Sequence, residues 1–211
     1  MIKVSIMIPN YNQEKLIIKA LDSIPKRSDI ELIIIDDKST DNSWDVINNW
    51  VITNKDNFGN IVIKQNDINM GCGYSKNWAY TEAQGDYIIT LDSDDYLYTE
   101  EYSTVIDRLY NMSADMIFIA NKINDGSIWS NSDRKATWSY FIKNDFLKST
   151  GLNYNPKARR AGDFELTKAL QEIEREEVTL RDVVYHYNYP RENSIVWNYE
   201  HGADESMYRN N

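Results

Sequence analysis

A single cysteine, Cys72, stands in a chain of 211 residues. No disulfide within the chain can form, and a reducing compartment is the simpler expectation. Positive charge is in deficit. Lys and Arg number 23 against 33 Asp and Glu, a formal net charge of −10. Nucleic-acid phosphates require clustered Lys and Arg, so a nucleic-acid partner is not expected. A short basic patch remains at Lys157, Arg159 and Arg160. Long apolar runs are missing too. No stretch approaches the ~20 apolar residues that span a bilayer. The opening MIKVSIMIPNYN is interrupted by Pro9 and Asn10 too soon for a signal peptide. The expectation is a soluble, cytoplasmic protein. There is no internal repeat, low-complexity linker or strong domain boundary. Residues 1–211 therefore read as one domain, with a polar tail at 196–211. Aromatics are what the chain has in quantity, with 15 Tyr and 6 Trp. Such rings offer a stacking face and a polar tip, which suits sugars and nucleobases, although most belong to ordinary packing.

The first half alternates strand and helix signals. Lys3–Ile8, Glu31–Ile35, Ile61–Lys64, Tyr87–Leu91 and Met116–Ala120 are short aliphatic runs, the pattern of strands buried on both faces. Between them, Leu16 to Ile24, the stretch around Ile47, Trp50 and Val51, Tyr74–Gln84 and Thr99–Met112 carry helical spacing. This order predicts an α/β fold: a mostly parallel central sheet with helices on both faces. The second half is less regular. It predicts short strands at Ser127–Trp129 and Lys135–Trp138, helices at Ser139–Ser149 and Asp163–Glu176, and a last strand at Val183–Tyr189. Ligands of open α/β sheets bind beyond the carboxyl ends of the strands. Three polar turns sit there: Pro9–Asn12, Asp36–Asp41 and Asp92–Asp95.

Asp92-Ser93-Asp94-Asp95 places three carboxylates in four positions directly after an apolar strand. They repel one another unless a cation sits among them. Carboxylate oxygens suit Mg²⁺ or Mn²⁺, which keep substrate phosphate oxygens as further ligands. A metal there stabilises a diphosphate leaving group. The bland alternative is a solvated turn that caps the next helix. A calcium loop of the EF-hand type fails, since Leu97 and Ser103 stand where its Gly and Glu belong. A phosphatase aspartate nucleophile fits poorly, because Tyr96 follows the acids and the motif lies on the fourth strand. At the end of the second strand, Asp37 can accept from a ribose hydroxyl or a uracil N–H, while Ser39, Thr40 or Asp41 cap the helix that follows. Tyr11 either lies over a nucleobase or packs in its turn.

The segments VSIMIPNYNQEKLIIKALDSI, IIIDDKSTDNSWDVI and NMGCGYSKNWAYTEAQGDYIITLDSDD, in that order and spacing, resemble glycosyltransferase family 2. The resemblance is strong over residues 1 to about 110 and present to about 195. It implies the GT-A fold, with residues 1–110 as a nucleotide-sugar half and 111–195 as a smaller acceptor-side half. It further implies inverting, metal-dependent transfer of a sugar from a nucleotide sugar, UDP-linked by family frequency, to a carbohydrate or glycoconjugate acceptor. Pro9 and Tyr11 would frame the base pocket. Asp37 would bind uracil or ribose, and Gly71 and Lys76 would lie beside the nucleotide. Asp92 would bind ribose or support the metal, with Ser93 alongside it, and Asp94 would ligate Mn²⁺ or Mg²⁺ directly. The general base would be Asp163, in Gly162-Asp163-Phe164-Glu165, where the family's usual Glu is replaced by Gly162. Capping of its helix is the alternative role for Asp163, and Glu165 is a reserve base. His186 would complete the metal shell, unless it is an ordinary buried or surface histidine. Arg191 would reach the diphosphate. Trp138 would stack on the acceptor sugar, or else pack in the core. The Gln-x-x-Arg-Trp motif of processive synthases is absent, which implies one or few sugars per encounter. Two rival readings remain: a sugar nucleotidyltransferase, and a non-catalytic sugar-nucleotide-binding module.

Overall fold

The aliphatic runs form the strands their composition predicts. In a computed structural model describing residues 1–130, 136–156 and 162–192, β1 (Val4–Asn10), β2 (Ile30–Asp36) and β4 (Tyr87–Thr90) are buried almost throughout. The half-buried β3 (Asn60–Gln65) forms one edge of the sheet. These four strands pair in parallel in the order β3-β2-β1-β4. Both faces of that block are covered, so its strands need no polar alternation. The covering helices include α1 (Ile17–Asp22), α2 (Ser43–Asn54) and α3 (Cys72–Glu82). The patch Lys157, Arg159 and Arg160 and the tail 196–211 lie outside the described residues.

After β4 the chain forms β5 (Tyr96–Leu97), α4 (Thr99–Leu109), β6 (Met116–Ile123), β7 (Ile128–Ser130) and β8 (Tyr140–Lys143). It continues through α5 (Asn144–Thr150), α6 (Gly162–Gln171) and β9 (Glu177–Tyr187). The sheet extends from β4 through β8, β6 and β9 to β5, with β7 hydrogen-bonded to β6. Here the pairing is mixed. β8 runs antiparallel to β4 and β6, whereas β6 and β9 are parallel. The parallel ladders are the longer ones, so the sheet is mostly parallel, as the sequence predicts. One core lies under α1, α2 and α4 and includes Ile6, Leu21, Ile47, Ile106 and Ile117. The other lies under α3, α5 and α6 and includes Ile33, Ala79, Phe118, Leu147 and Leu170. Among the described residues no helix is long and apolar enough to cross a membrane.

Three expectations for the second half are corrected. Tyr140–Lys143 is a strand and the helix starts only at Asn144. Its aromatic and β-branched side chains alternate between the two cores, Phe141 to one and Tyr140 and Ile142 to the other, which a helix could not do. Thr137–Ser139 is a 3₁₀ turn rather than part of a strand, and Lys135 lies outside the described residues. β9 begins at Glu177, six residues before the predicted start at Val183, because it already pairs there with Met116 of β6, and α6 stops at Gln171, short of the predicted Glu176.

Candidate active site

The turns after β1 and β2 are stitched to each other. Asn10 Nδ2 donates to Asp36 Oδ1 at 2.8 Å and to Ser39 Oγ at 3.3 Å. Asn12, left-handed at φ 53°, donates its N–H to Ser39 Oγ and accepts from the Thr40 N–H through Oδ1. Asn tolerates that backbone region better than most residues. Asp41 accepts from the N–H of Ser43, the first residue of α2, from one position before the N-cap Asn42, which makes no side-chain cap bond of its own. Pro9 stays within β1, opposite Ile35, and Tyr11 stands at the rim, 44% exposed. Asp37 is buried and accepts from Met70 N (2.8 Å), Gly71 N (2.7 Å) and Asn66 Nδ2 (2.7 Å). These bonds fix the loop before α3, in which Gly71 takes φ +88°, a conformation natural to glycine. A carboxylate has about four acceptor positions, so Asp37 keeps little beyond its protein donors.

An ion cluster joins the end of β4 to the start of α6. Lys76, on α3, is 3% exposed. Its Nζ lies 2.9 and 3.2 Å from the two oxygens of Asp163 and 3.6 Å from Asp92 Oδ1. Burial opposes the Lys76 charge, but facing carboxylates, Asp163 foremost, outweigh it and keep the ammonium protonated well above the ordinary lysine range. Burial pushes the Asp92 carboxyl up to about 6; Lys76 pulls the other way, and Asp163 and Asp94 add to the rise. The Thr137 N–H also points at Asp163 Oδ2, at 3.4 Å. Glu165 is exposed and accepts instead from Asn155.

The acid turn divides by exposure. Asp95 is buried and accepts from Tyr185 Oη (2.6 Å) and from the Asn188 N–H (2.8 Å). Burial first, then Asp94 and Asp92, push its carboxyl well above the usual range. Asp95 is thus a clamp between the turn and β9. Ser93 is buried. The Asp92 and Asp94 side chains remain 30% and 28% exposed. Asp94 is ion-paired with the Arg191 guanidinium, and its carbonyl accepts from Asn188 Nδ2. Arg191 is therefore brought to the acid turn.

His186 and Trp138 have other surroundings. Asn124 uses its amide N–H groups on Asn188 and Pro190, so its Oδ1 accepts from His186 Nε2 at 2.9 Å. His186 Nδ1 then accepts from Tyr98 Oη at 3.0 Å. With the ring also stacked on Tyr96, this arrangement leaves no lone pair for a metal. Burial, then Lys19 and Lys122, lower its basicity. Trp138 is 5% exposed and stacks on Tyr185 and Tyr187, a core position with no open face for a sugar. Sequence reasoning missed Tyr185, Thr137 and Asn188. The alternation in Val183–Tyr189 marked a strand, but nothing local marked its contact with Asp95.

Known proteins are similar to this chain in sequence and in fold. A poly(ribitol-phosphate) beta-glucosyltransferase of Bacillus spizizenii is 40% identical over 118 residues, which is 54% of this chain and 17% of that protein. The Escherichia coli UDP-Glc:alpha-D-GlcNAc-diphosphoundecaprenol beta-1,3-glucosyltransferase WfaP is 32% identical over 155 residues, 72% of this chain and 51% of that one. The chain thus spans between 17% and 51% of the length of these relatives. In fold it is similar to Staphylococcus aureus TarS in complex with UDP-GlcNAc, with a TM-score of 0.77 over 92% of this chain and 60% of the other, at 22% identity. The mannosyltransferase PcManGT from Pyrobaculum calidifontis, in complex with GDP-Man and Mn²⁺, gives 0.70 over 93% and 59% at 18% identity. Residues 5–177 match the profile of glycosyl transferase family 2, and the chain belongs to that family.

Proposed function

We propose that this chain is an inverting glycosyltransferase moving a sugar from a UDP-sugar to a hydroxyl of a carbohydrate or glycoconjugate, adding one or few sugars per encounter. The observation that carries the reading is the Asp163–Lys76–Asp92 cluster. It sets a candidate base, oriented through both its oxygens, beside the acids at the end of β4. Asp163 accepts the proton of the acceptor hydroxyl as that oxygen attacks the anomeric carbon. The bond from that carbon to the diphosphate oxygen breaks, and its electron pair leaves with UDP. Lys76 holds the Asp163 carboxylate in place. Pro9, Tyr11, Asp37 and Gly71 border the nucleotide, and Arg191 meets the diphosphate. UDP is preferred because WfaP is named for UDP-Glc and TarS binds UDP-GlcNAc.

The exposed oxygens of Asp92 and Asp94 fit Mn²⁺ or Mg²⁺ in chemistry. Among the described residues no group of three or more His, Cys, Asp or Glu holds a metal by itself. The two aspartates therefore suit an ion whose other ligands come from the donor diphosphate. When bound, the ion offsets the charge that gathers on the departing diphosphate.

The test is a panel of sugar nucleotides with Mn²⁺ or Mg²⁺, scored for nucleoside diphosphate release with and without acceptor glycans. Release from one UDP-sugar, abolished by EDTA and by Asp94→Asn, is expected. Asp163→Asn should slow transfer about 10²–10⁴-fold while calorimetric UDP binding holds. Release of pyrophosphate would instead establish a nucleotidyltransferase. UDP binding without turnover, unchanged by Asp163→Asn, would establish a binding module.

A further inference from the structure

We infer that the outer ends of β7 and β9 form a subsite for a pyranose ring of the acceptor, walled by Trp129 and Tyr189, with Tyr187 stacked behind them on Trp138 and the Asn121 amide as the floor. The inference rests on the glycosyltransferase reading and names the acceptor's chemistry. Strand register puts Trp129, Asn121 and Tyr185 in one row across β7, β6 and β9, on one face. Tyr187 lies on the same face, one pleat further along. The rings form a continuous series. Trp138 stacks on Tyr185 at 4.8 Å and on Tyr187 at 5.1 Å, and Tyr187 stacks on Tyr189 at 5.5 Å and 6°. Trp129 leans over both outer tyrosines, 6.3 Å from Tyr187 at 52° and 6.2 Å from Tyr189 at 46°. The inner rings, Trp138 and Tyr185, are buried; Trp129, Tyr187 and Tyr189 are half-buried.

This series starts at the chemistry. Tyr185 Oη donates to Asp95 and accepts from the Asp92 N–H. Trp138 follows Thr137, whose N–H faces Asp163. The wall is thus joined through Tyr185 to the acid turn and through the Thr137–Trp138 backbone to the candidate base. Trp138, read from sequence as the stacking residue, is the buried support of this wall.

A second observation points to a ligand. Asn121 is 2% exposed, and among the described residues its Nδ2 has no hydrogen-bond partner. An unpartnered buried amide is costly and uncommon. Here it sits in the row between Trp129 and Tyr185, where a hydroxyl or acetamido oxygen of a bound sugar supplies the acceptor. A pyranose offers the matching pair of surfaces: a C–H face for aromatic rings and ring oxygens for an amide donor. An anionic, acyclic ligand such as a ribitol phosphate matches less well. Asp95, Asp92 and Asp94 also face the Tyr187 hydroxyl, a negative surrounding that disfavours an anion.

The experiment is saturation-transfer NMR on the full chain with UDP and Mn²⁺ present. The probes are methyl glycosides of glucose, galactose and N-acetylglucosamine, with ribitol 5-phosphate as the acyclic anion. Transfer to the C–H protons of at least one pyranoside is expected, about tenfold weaker in Trp129→Ala and Tyr189→Ala, with UDP affinity unchanged. Asn121→Leu should lose the same signal while its melting temperature holds or rises, because the replacement removes an unpartnered donor. Pyranoside signals that survive all three substitutions, signals from ribitol 5-phosphate alone, or no pyranoside signal from a protein that binds UDP would each overturn the subsite. Failure of UDP itself to bind would instead overturn the proposed function and, with it, this inference.

Discussion

Asp29 lies in the connection before β2 and is gripped by a fork of donors. Arg27 Nε and Nη2 reach its two oxygens at 2.9 and 2.8 Å, and Tyr110 Oη donates to one of them at 2.7 Å. The Arg27 hydrogen bond dominates and holds the Asp29 carboxyl down at about 2, against an ordinary value of 3.8. A carboxyl depressed by folding stabilises the native state fully above its unfolded value and loses that contribution as pH falls towards its folded value. The window here runs from about pH 4 down to about 2, with about half the contribution gone by pH 3. At neutral pH it amounts to at most about 2 kcal/mol, screening included. Urea unfolding of wild type and Asp29→Asn should differ most at pH 7 and converge below pH 4. A difference that stays constant down to pH 3 would mean that the fork does not act through charge. Lys76 stands in contrast: it is buried between Asp92 and Asp163, the candidate metal-site acid and the candidate base, and under the proposed function it positions them.

At the scale of elements, Glu31 ties the parallel block together. It is the second residue of β2, is fully buried, and accepts from Ser5 Oγ on β1 (2.7 Å), Asn60 Nδ2 on β3 (2.9 Å) and the Gln84 N–H before β4 (2.9 Å). Glu31→Ala leaves these donors facing apolar surface and should cost about 3 kcal/mol, read as a lowered urea midpoint with an unchanged slope. A loss under about 0.5 kcal/mol would mean that water replaces the carboxylate. From the sequence Glu31 was only the first residue of a strand, because its three partners come from distant segments. The same limit applies elsewhere. The parallel block was legible because each strand is a closed aliphatic run with a helix before the next. The Tyr140–Lys143 strand was not, because no Gly or Pro separates it from the helix at Asn144 and its partners β4 and β6 fix its state. The acid turn was visible as a pattern, and Asp163 through family resemblance. The contact of Lys76 with Asp163, 87 residues apart, and the aromatic series from Trp138 to Trp129 exist only once the sheet has formed.

Across the whole molecule, the two cores pack on opposite faces of one sheet, and the candidate site lies along the edge where β1, β2 and β4 end and α6 begins. A ligand bound there touches elements from both layers, so it binds the folded chain and not the unfolded one. Such a ligand stabilises by about 2.7 kcal/mol at one hundred times its dissociation constant. For a domain of this size that raises the melting temperature by about 5–10 °C. In the structure Arg191 is the counter-ion of Asp94. A metal must displace that guanidinium, and the diphosphate gives the guanidinium a new partner when it does. UDP and Mn²⁺ together should therefore raise the melting temperature by more than the sum of their separate shifts. Asp94→Asn should abolish the excess and leave the shift from UDP alone. Strictly additive shifts would mean that metal and nucleotide bind independently, and an excess that survives Asp94→Asn would move the metal away from the acid turn.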